Sequence, residues 1–159
     1  MKYWLMKSEP DAYSIDQFKK DKKTLWDGIR NYQARNFMMK EMSQGDAVLF
    51  YHSNAKPPGV AGIGVVSSDG SVPDPSQFNK RSDYFDPKAS EDKVIWECVE
   101  LKFVEKFKEE VSLPTLKEEK SLADMRLLQR GNRLSILPLK KSEFQKICKM
   151  AGSKKGGSL

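Results

Sequence analysis

Strand-like segments fall at uneven intervals along this chain, and that irregularity does most to limit the folds open to it. Tyr3 to Lys7, Ala47 to His52, Val60 to Ser67, Val94 to Phe107 and Leu134 to Leu139 carry apolar or alternating patterns of strand length. The gaps between them are too unequal for repeating βαβ units, which disfavours a doubly wound parallel sheet. A small barrel-like mixed sheet of five or six strands with short helices around it fits better, an α+β architecture. A chain of 159 residues is long enough for one such domain with its own core.

The helices expected around that sheet are short. Ser14 and Gln17 have capping-box spacing and predict a helix to about Lys20. Leu25 to Ile29 reads as an aromatic turn segment, and Asn31 to about Met42, free of Gly and Pro, reads as a second helix. Ser112-Leu113-Pro114 opens a third. Ser121 with Asp124 marks a fourth, from Leu122 to about Gln129. Ser142 is expected to cap a last helix that Gly152 stops. Ser68 to Asp92, rich in Pro, Asp and Ser, reads as a long irregular connection, and 152–159 as a disordered basic tail after a domain of residues 1–151. Gly62 and Gly64, two apart on one strand face, admit a close approach, with packing favoured over a ligand as its cause.

Charge is distributed as unevenly as structure. Residues 1–101 carry 14 basic and 15 acidic side chains, whereas 102–159 carry 14 basic and 7 acidic. A basic half suits a polyanion, because each Lys or Arg near a phosphate releases condensed counterions. Arg126, Arg130, Arg133, Lys140 and Lys141 form the candidate phosphate-contacting surface. No apolar run approaches the roughly 20 residues that span a bilayer, and Met1 to Pro10 lacks the pattern of a signal peptide. With Cys98 and Cys148 far apart, the reading is an intracellular protein, cytoplasmic or, in a eukaryote, nuclear.

Most enzyme chemistries lack parts. His52 is the single His, so neither a His-rich metal site nor a protein-only zinc site with the two Cys is expected. There is no nucleophile elbow, dinucleotide fingerprint or phosphate-binding Gly-rich loop, and no cofactor is expected. What remains is a concentration of flat and hydrogen-bonding side chains: Lys7, Ser8 and Glu9; Trp26, Arg30, Asn31 and Tyr32; His52, Ser53 and Asn54. Aromatic faces stack on bases, and amide and hydroxyl groups read base edges, so this set can hold a planar heterocycle. Equally open from spacing alone is that Trp26 and Tyr32 pack the core and Asn31 caps a helix.

The blocks Trp4-Leu5-Met6-Lys7-Ser8-Glu9-Pro10, Trp26-Asp27-Gly28-Ile29-Arg30-Asn31-Tyr32-Gln33-Ala34-Arg35 and Gly45-Asp46 through Phe50-Tyr51-His52-Ser53-Asn54, continued by Val60 to Gly64 and Arg133 to Ile136, resemble the EVE domain family over about residues 2 to 149. The resemblance implies a PUA-like fold related to YTH and ASCH domains, and recognition of a modified base, methylated or hydroxymethylated cytosine foremost, in DNA or RNA. It implies no catalysis. On it, Lys7, Ser8 and Glu9 form one lip of a pocket, Trp26, Asn31 and Tyr32 its wall, and His52, Ser53 and Asn54 the opposite edge. Where relatives continue with a Gln this chain has Leu137, which removes a possible hydrogen bond to the substrate.

Two other classes stay in view. An ASCH-like hydrolase acting on a modified nucleoside would draw its acid or base from Glu9, Asp27, Lys7 or His52. A protein-interaction module would use the 68–92 loop. The expected working unit is a monomer whose partner is nucleic acid, with no membrane or metal.

Overall fold

The computed structural model describes residues 1–159. One curled six-stranded sheet organises it, in the order β2-β7-β4-β3-β1-β8, with β1 Tyr3–Ser8, β2 Lys23–Leu25, β3 Ala47–His52, β4 Gly59–Val66, β7 Glu100–Ser112 and β8 Ile136–Leu139. β5 Val72–Pro73 and β6 Glu97–Cys98 form a separate small ribbon. The helices are α1 Ile15–Asp21, α2 Tyr32–Asn36, α3 Leu113–Glu118 and α4 Lys141–Met150. β1 and β3 run parallel, from Tyr3 opposite Ala47 to Ser8 opposite His52, while every other pair in the sheet is antiparallel. The mixed sheet and short helices match the architecture expected from the sequence.

Alternation along the strands divides the core in two, because successive side chains point to opposite faces. Trp4, Met6, Val48 and Phe50 enter one cluster with Phe18 and Trp26, and Tyr3, Leu5, Leu49 and Tyr51 enter the other with Phe107, Phe144 and Ile147. α1 presses on the first face where β4 has no side chains. A Cβ on Gly62 would meet Ile15 Cδ1 at 2.7 Å, and one on Gly64 would meet Phe18 Cε2 at 3.0 Å. The backbone carbonyls of Glu105 and Lys102 on β7 crowd the same two positions, so the glycine pair is explained by packing against both the helix and the neighbouring strand, the favoured of its two readings.

Several local expectations change. Asn31 to Met42 is not one helix: α2 passes after Asn36 into a π-turn, Phe37–Glu41, closed by Met42 N donating to Phe37 O. The stretch 122–129 is two 3₁₀ turns, Lys120–Leu122 and Arg126–Leu128. Its anchors Leu122, Met125 and Leu128 recur every third residue, the period at which 3₁₀ side chains eclipse. Val94 to Phe107 breaks at Val99, because Glu97–Cys98 leaves the sheet to pair with Val72–Pro73. The charged loop also contains a strand that its sequence does not signal, β2. α4 begins at Lys141, with Glu143 accepting from Lys140 N at 2.8 Å, not under a Ser142 cap. The tail expected to be disordered folds back in a turn at Gly156–Ser158, where the Glu105 carboxylate accepts from Ser153 Oγ at 2.6 Å and from Lys154 N and Lys155 N at 3.0 Å.

Candidate functional site

The parallel pair β1 and β3 ends at Ser8 and His52, and a cleft of about 660 Å³ opens beyond those carboxyl ends. That is within the usual size of a small-molecule site. Lys7 and Ser8 line it from β1 and Glu9 from just beyond it, Ser53 from the end of β3, and Ala12 and Tyr13 from the turn before α1. Both sheet edges contribute: Thr24 to Ile29 on and after β2, and Arg133 and Ser135 leading into β8. The curl of the sheet brings these edges to one opening.

The back of the cleft is aromatic. Trp26 is 6% exposed, edge-on to Phe50 at 5.5 Å, with its backbone N–H held by Val99 O at 2.9 Å. Its core reading is realised, since it belongs to the first apolar cluster, and the same side chain lines the cleft. Tyr13 stands beside it, its hydroxyl donating to Asp21 at 2.9 Å. Burial pushes the Tyr13 phenol up to about 12.

Tyr84 closes one side, and sequence reasoning missed it because the 68–92 connection carries no periodic signal. That connection is built. Asp74, 1% exposed, accepts from Gly28 N at 2.8 Å and Arg30 Nη1 at 3.1 Å, and buried Gln77 ties Asp74 and Trp96 together. Arg30 reaches on to Tyr84 O at 2.6 Å. Gly28 sits at φ +80°, where a Cβ would meet the Tyr84 ring at 2.9 Å, so this glycine is needed both for its backbone angle and for the ring laid across it.

Polar side chains around the opening are uncommitted. Lys7 Nζ lies 5.9 Å over the Tyr51 ring, and neither it nor the side chains of Glu9, Asp27, Ser53, Arg133 and Ser135 hydrogen-bonds to another protein group. Desolvation lowers the Lys7 pKa. Desolvation, and then the nearby Asp74 charge, raise that of Asp27. The arrangement suits a flat ligand with hydrogen-bonding edges, seated against Trp26 and met by donors and acceptors from three sides.

Other sequence-selected residues lie elsewhere. His52 is buried, its Nε2 accepting from Ile15 N at 3.0 Å, which leaves Nδ1 as the donor to Glu110 at 2.6 Å. It fastens α1 to β3 and β7 and does not line the cleft. Asn31 caps α2, its Oδ1 accepting from Ala34 N at 3.0 Å, and Tyr32 stacks on Trp96 outside the cleft. Arg30 is a strut behind Tyr84, and Asn54, at φ 51°, is an exposed turn residue. Ser8 lines the cleft but spends its hydroxyl on Tyr13 O at 2.8 Å. Leu137 is fully buried in the second cluster, so its departure from the family pattern alters the core and not the cleft lining.

The basic set also divides. Arg133 lines the cleft, and Asn132 Nδ2 donates to Arg126 O at 2.8 Å, so Arg126, Arg130 and Arg133 share one loop beside it. Lys140 and Lys141 follow Leu139, which pairs with Tyr3 at the far end of β1. Four strand residues separate them from the cleft, roughly 13 Å.

Similarity to known proteins agrees with this frame. The EVE domain family model matches residues 2–150. The chain belongs to the EVE domain family. Among its relatives is human thymocyte nuclear protein 1, 40% identical over 89% of this chain and 70% of that protein. A crystal structure of the human protein in complex with DNA containing 5-methylcytosine superposes with a TM-score of 0.87 at 36% identity, covering 97% of this chain and 99% of that one. A Leishmania major protein superposes at 0.90, with 45% identity over 96% of this chain and 95% of that one. An ASCH protein from Zymomonas mobilis, 13% identical at a TM-score of 0.56, shares the fold alone. No helix of this EVE domain is long and apolar enough to cross a membrane.

Proposed function

We propose that this protein is a non-catalytic reader of DNA, acting as a monomer, that takes one modified cytosine, unpaired or flipped, into the cleft beyond β1 and β3. The observation that carries the reading is the cleft itself: a fixed Trp26 at its back and six uncommitted polar side chains at its mouth. It gains weight from similarity over nearly the whole chain to a human protein crystallised with 5-methylcytosine DNA. Lys7, Glu9, Asp27, Ser53 and Ser135 supply the edge contacts, and Arg133 with Arg126 and Arg130 meets the phosphates. In a eukaryotic cell such a reader works in the nucleus.

Extruding a base costs a few kcal/mol, less where it is already unpaired. Stacking returns about 1–3 kcal/mol per base, so edge and phosphate contacts supply the balance. Fluorescence-anisotropy titration against oligonucleotides differing in one cytosine, plain, methylated or hydroxymethylated, in DNA and RNA, tests this. A preference for one modified base that persists at higher salt is the expected outcome. Binding that ignores the modification and collapses with salt would reduce the activity to that of a basic surface. Trp26→Phe, which keeps an aromatic ring in the core but leaves a small cavity, should lower the melting temperature by a few degrees and weaken the modified oligonucleotide several-fold at a temperature where the variant is still fully folded.

One observation favours a second reading, hydrolysis of a modified nucleoside. Asp27 and Lys7, with pKa values moved in opposite directions, share the cleft, and such displacement suits acid–base work. Chromatography after incubation with modified nucleosides decides it: products that disappear with Asp27→Asn would establish it, and no turnover would remove it.

A further inference from the structure

We propose that the outer face of Tyr32 is a second stacking platform, which takes an unpaired base of the same strand adjacent to the one held in the cleft. This rests on the base-reading function above and names a further contact for it. Tyr32 is 59% exposed although its ring is fixed: its inner face lies on Trp96 with centroids 4.9 Å apart and planes at 22°. Trp96 cannot retreat, being 5% exposed, with Nε1 donating to Asp86 at 2.8 Å and its backbone N–H to Gln77 Oε1 at 2.9 Å. A large flat ring held in place and left open on one side is what a base stacks on at small entropic cost.

The placement of Arg35 leaves that outer face clear. Its guanidinium is 4.6 Å from the Tyr32 centroid and 5.6 Å from that of Trp96. A group above the outer face would stand from Trp96 by nearly the sum of the two ring separations, so Arg35 lies on the Trp96 side of the Tyr32 ring and not on its outer face. It is pinned there by Ile95 O at 2.9 Å and Asn36 Oδ1 at 2.9 Å. It has no carboxylate partner, whereas Arg30 is paired with Asp74. The platform therefore carries one uncompensated positive charge at its margin, complementary to a phosphate.

Continuity with the cleft identifies the occupant. Arg30 lies 4.9 Å from the Trp96 ring and 5.6 Å from the Tyr84 ring, and Tyr84 lines the cleft. Rings and cations thus form a row from the cleft wall to Tyr32, in which Trp96 is buried and the accessible members, Tyr84, Arg30 and Tyr32, mark the path a strand can follow. Because every base has a π-face, the platform takes any base identity, while the cleft selects the modification.

The test uses the full chain and single-stranded DNA carrying one 5-methylcytosine, with each flanking nucleotide replaced in turn by an abasic linker. Tyr32→Ala should weaken binding of the intact strand about tenfold, as expected for loss of one stacked base. It should leave the affinity for one of the abasic-flank strands unchanged, and Tyr32→Phe should restore wild-type affinity for the intact strand. Equal weakening on all strands, or none, overturns the platform, and in either case a methyl preference that persists leaves the base reader standing. Loss of methyl discrimination with the Tyr32 effect intact overturns the reader and keeps the platform as a single-strand contact. Failure of the wild-type protein to bind any strand overturns both.

Discussion

The two ends of the parallel pair β1 and β3 are built from the same strands and treated in opposite ways. At the amino end, Asp46 is 2% exposed and saturated, accepting from Lys2 N, Trp4 Nε1 and Ser43 N at 3.0 Å each. At the carboxyl end, Glu9, Asp27 and Arg133 face an opening without protein partners. The closed end spends its polar groups on the fold, and the open end leaves them without protein partners. Position along one strand pair, more than residue type, separates saturated from unpartnered carboxylates here.

The strongest way to break that contrast is at the closed end. Asp46→Ala orphans three donors, one of them the indole of a buried Trp, and should cost about 3 kcal/mol or more in urea unfolding. Affinity in the fraction that remains folded should be unchanged; an affinity loss beyond the unfolded fraction would mean the two ends are coupled. His52→Ala is next. It leaves Ile15 N without an acceptor, for about 1–3 kcal/mol of stability, and should not alter base preference, which would contradict its removal from the site if it did.

Smaller effects sharpen the open end. Arg133→Ala should lower DNA affinity several-fold and reduce the dependence of log affinity on log salt by about one. Lys141→Ala, at the other end of β1, should change neither; equal slopes for both variants would return the phosphate path to the whole basic segment. Asp27→Asn is expected to have the smallest effect. Because the folded pKa of Asp27 is raised, the native state binds more protons than the unfolded one between the ordinary and raised values, so the ionised carboxylate destabilises the fold above that window. The variant should be slightly more stable at pH 7, with the gain fading as pH falls through the raised pKa, and thermal melts across pH 4–8 would show a flat difference if the cause is wrong.

The sheet was more legible in the sequence than the site. β3 and β4 announce themselves as apolar runs, and Gly62 and Gly64 disclosed a close contact on one face. Residues 122–129 misled because their capping spacing is helical while their apolar spacing is three, and burial of Leu122 and Met125 decided the outcome. Lys7, Glu9, Trp26 and Ser53 could be chosen as residue types suited to a base, and they converge. Tyr32, Asn31 and His52 suit a base on the same grounds and do not converge, because a hydrogen-bonding side chain serves a cap or a helix junction as readily as a ligand. Tyr84 had no local signal, since its position is set through Asp74 and Arg30, 44 residues apart in the chain.

The pairing of β1 with β8 fixes an order of assembly. Tyr3 to Met6 is made before its antiparallel neighbour, Ile136 to Leu139, so one flank of β1 waits unpaired while the residues between them emerge. Contacts so distant in sequence close slowly. Arg133 and Ser135, which immediately precede β8, arrive with it. The opening is thus completed in the same step that seals the sheet edge, and a nascent protein acquires the full rim of its cleft only when β1 has lost its exposed flank.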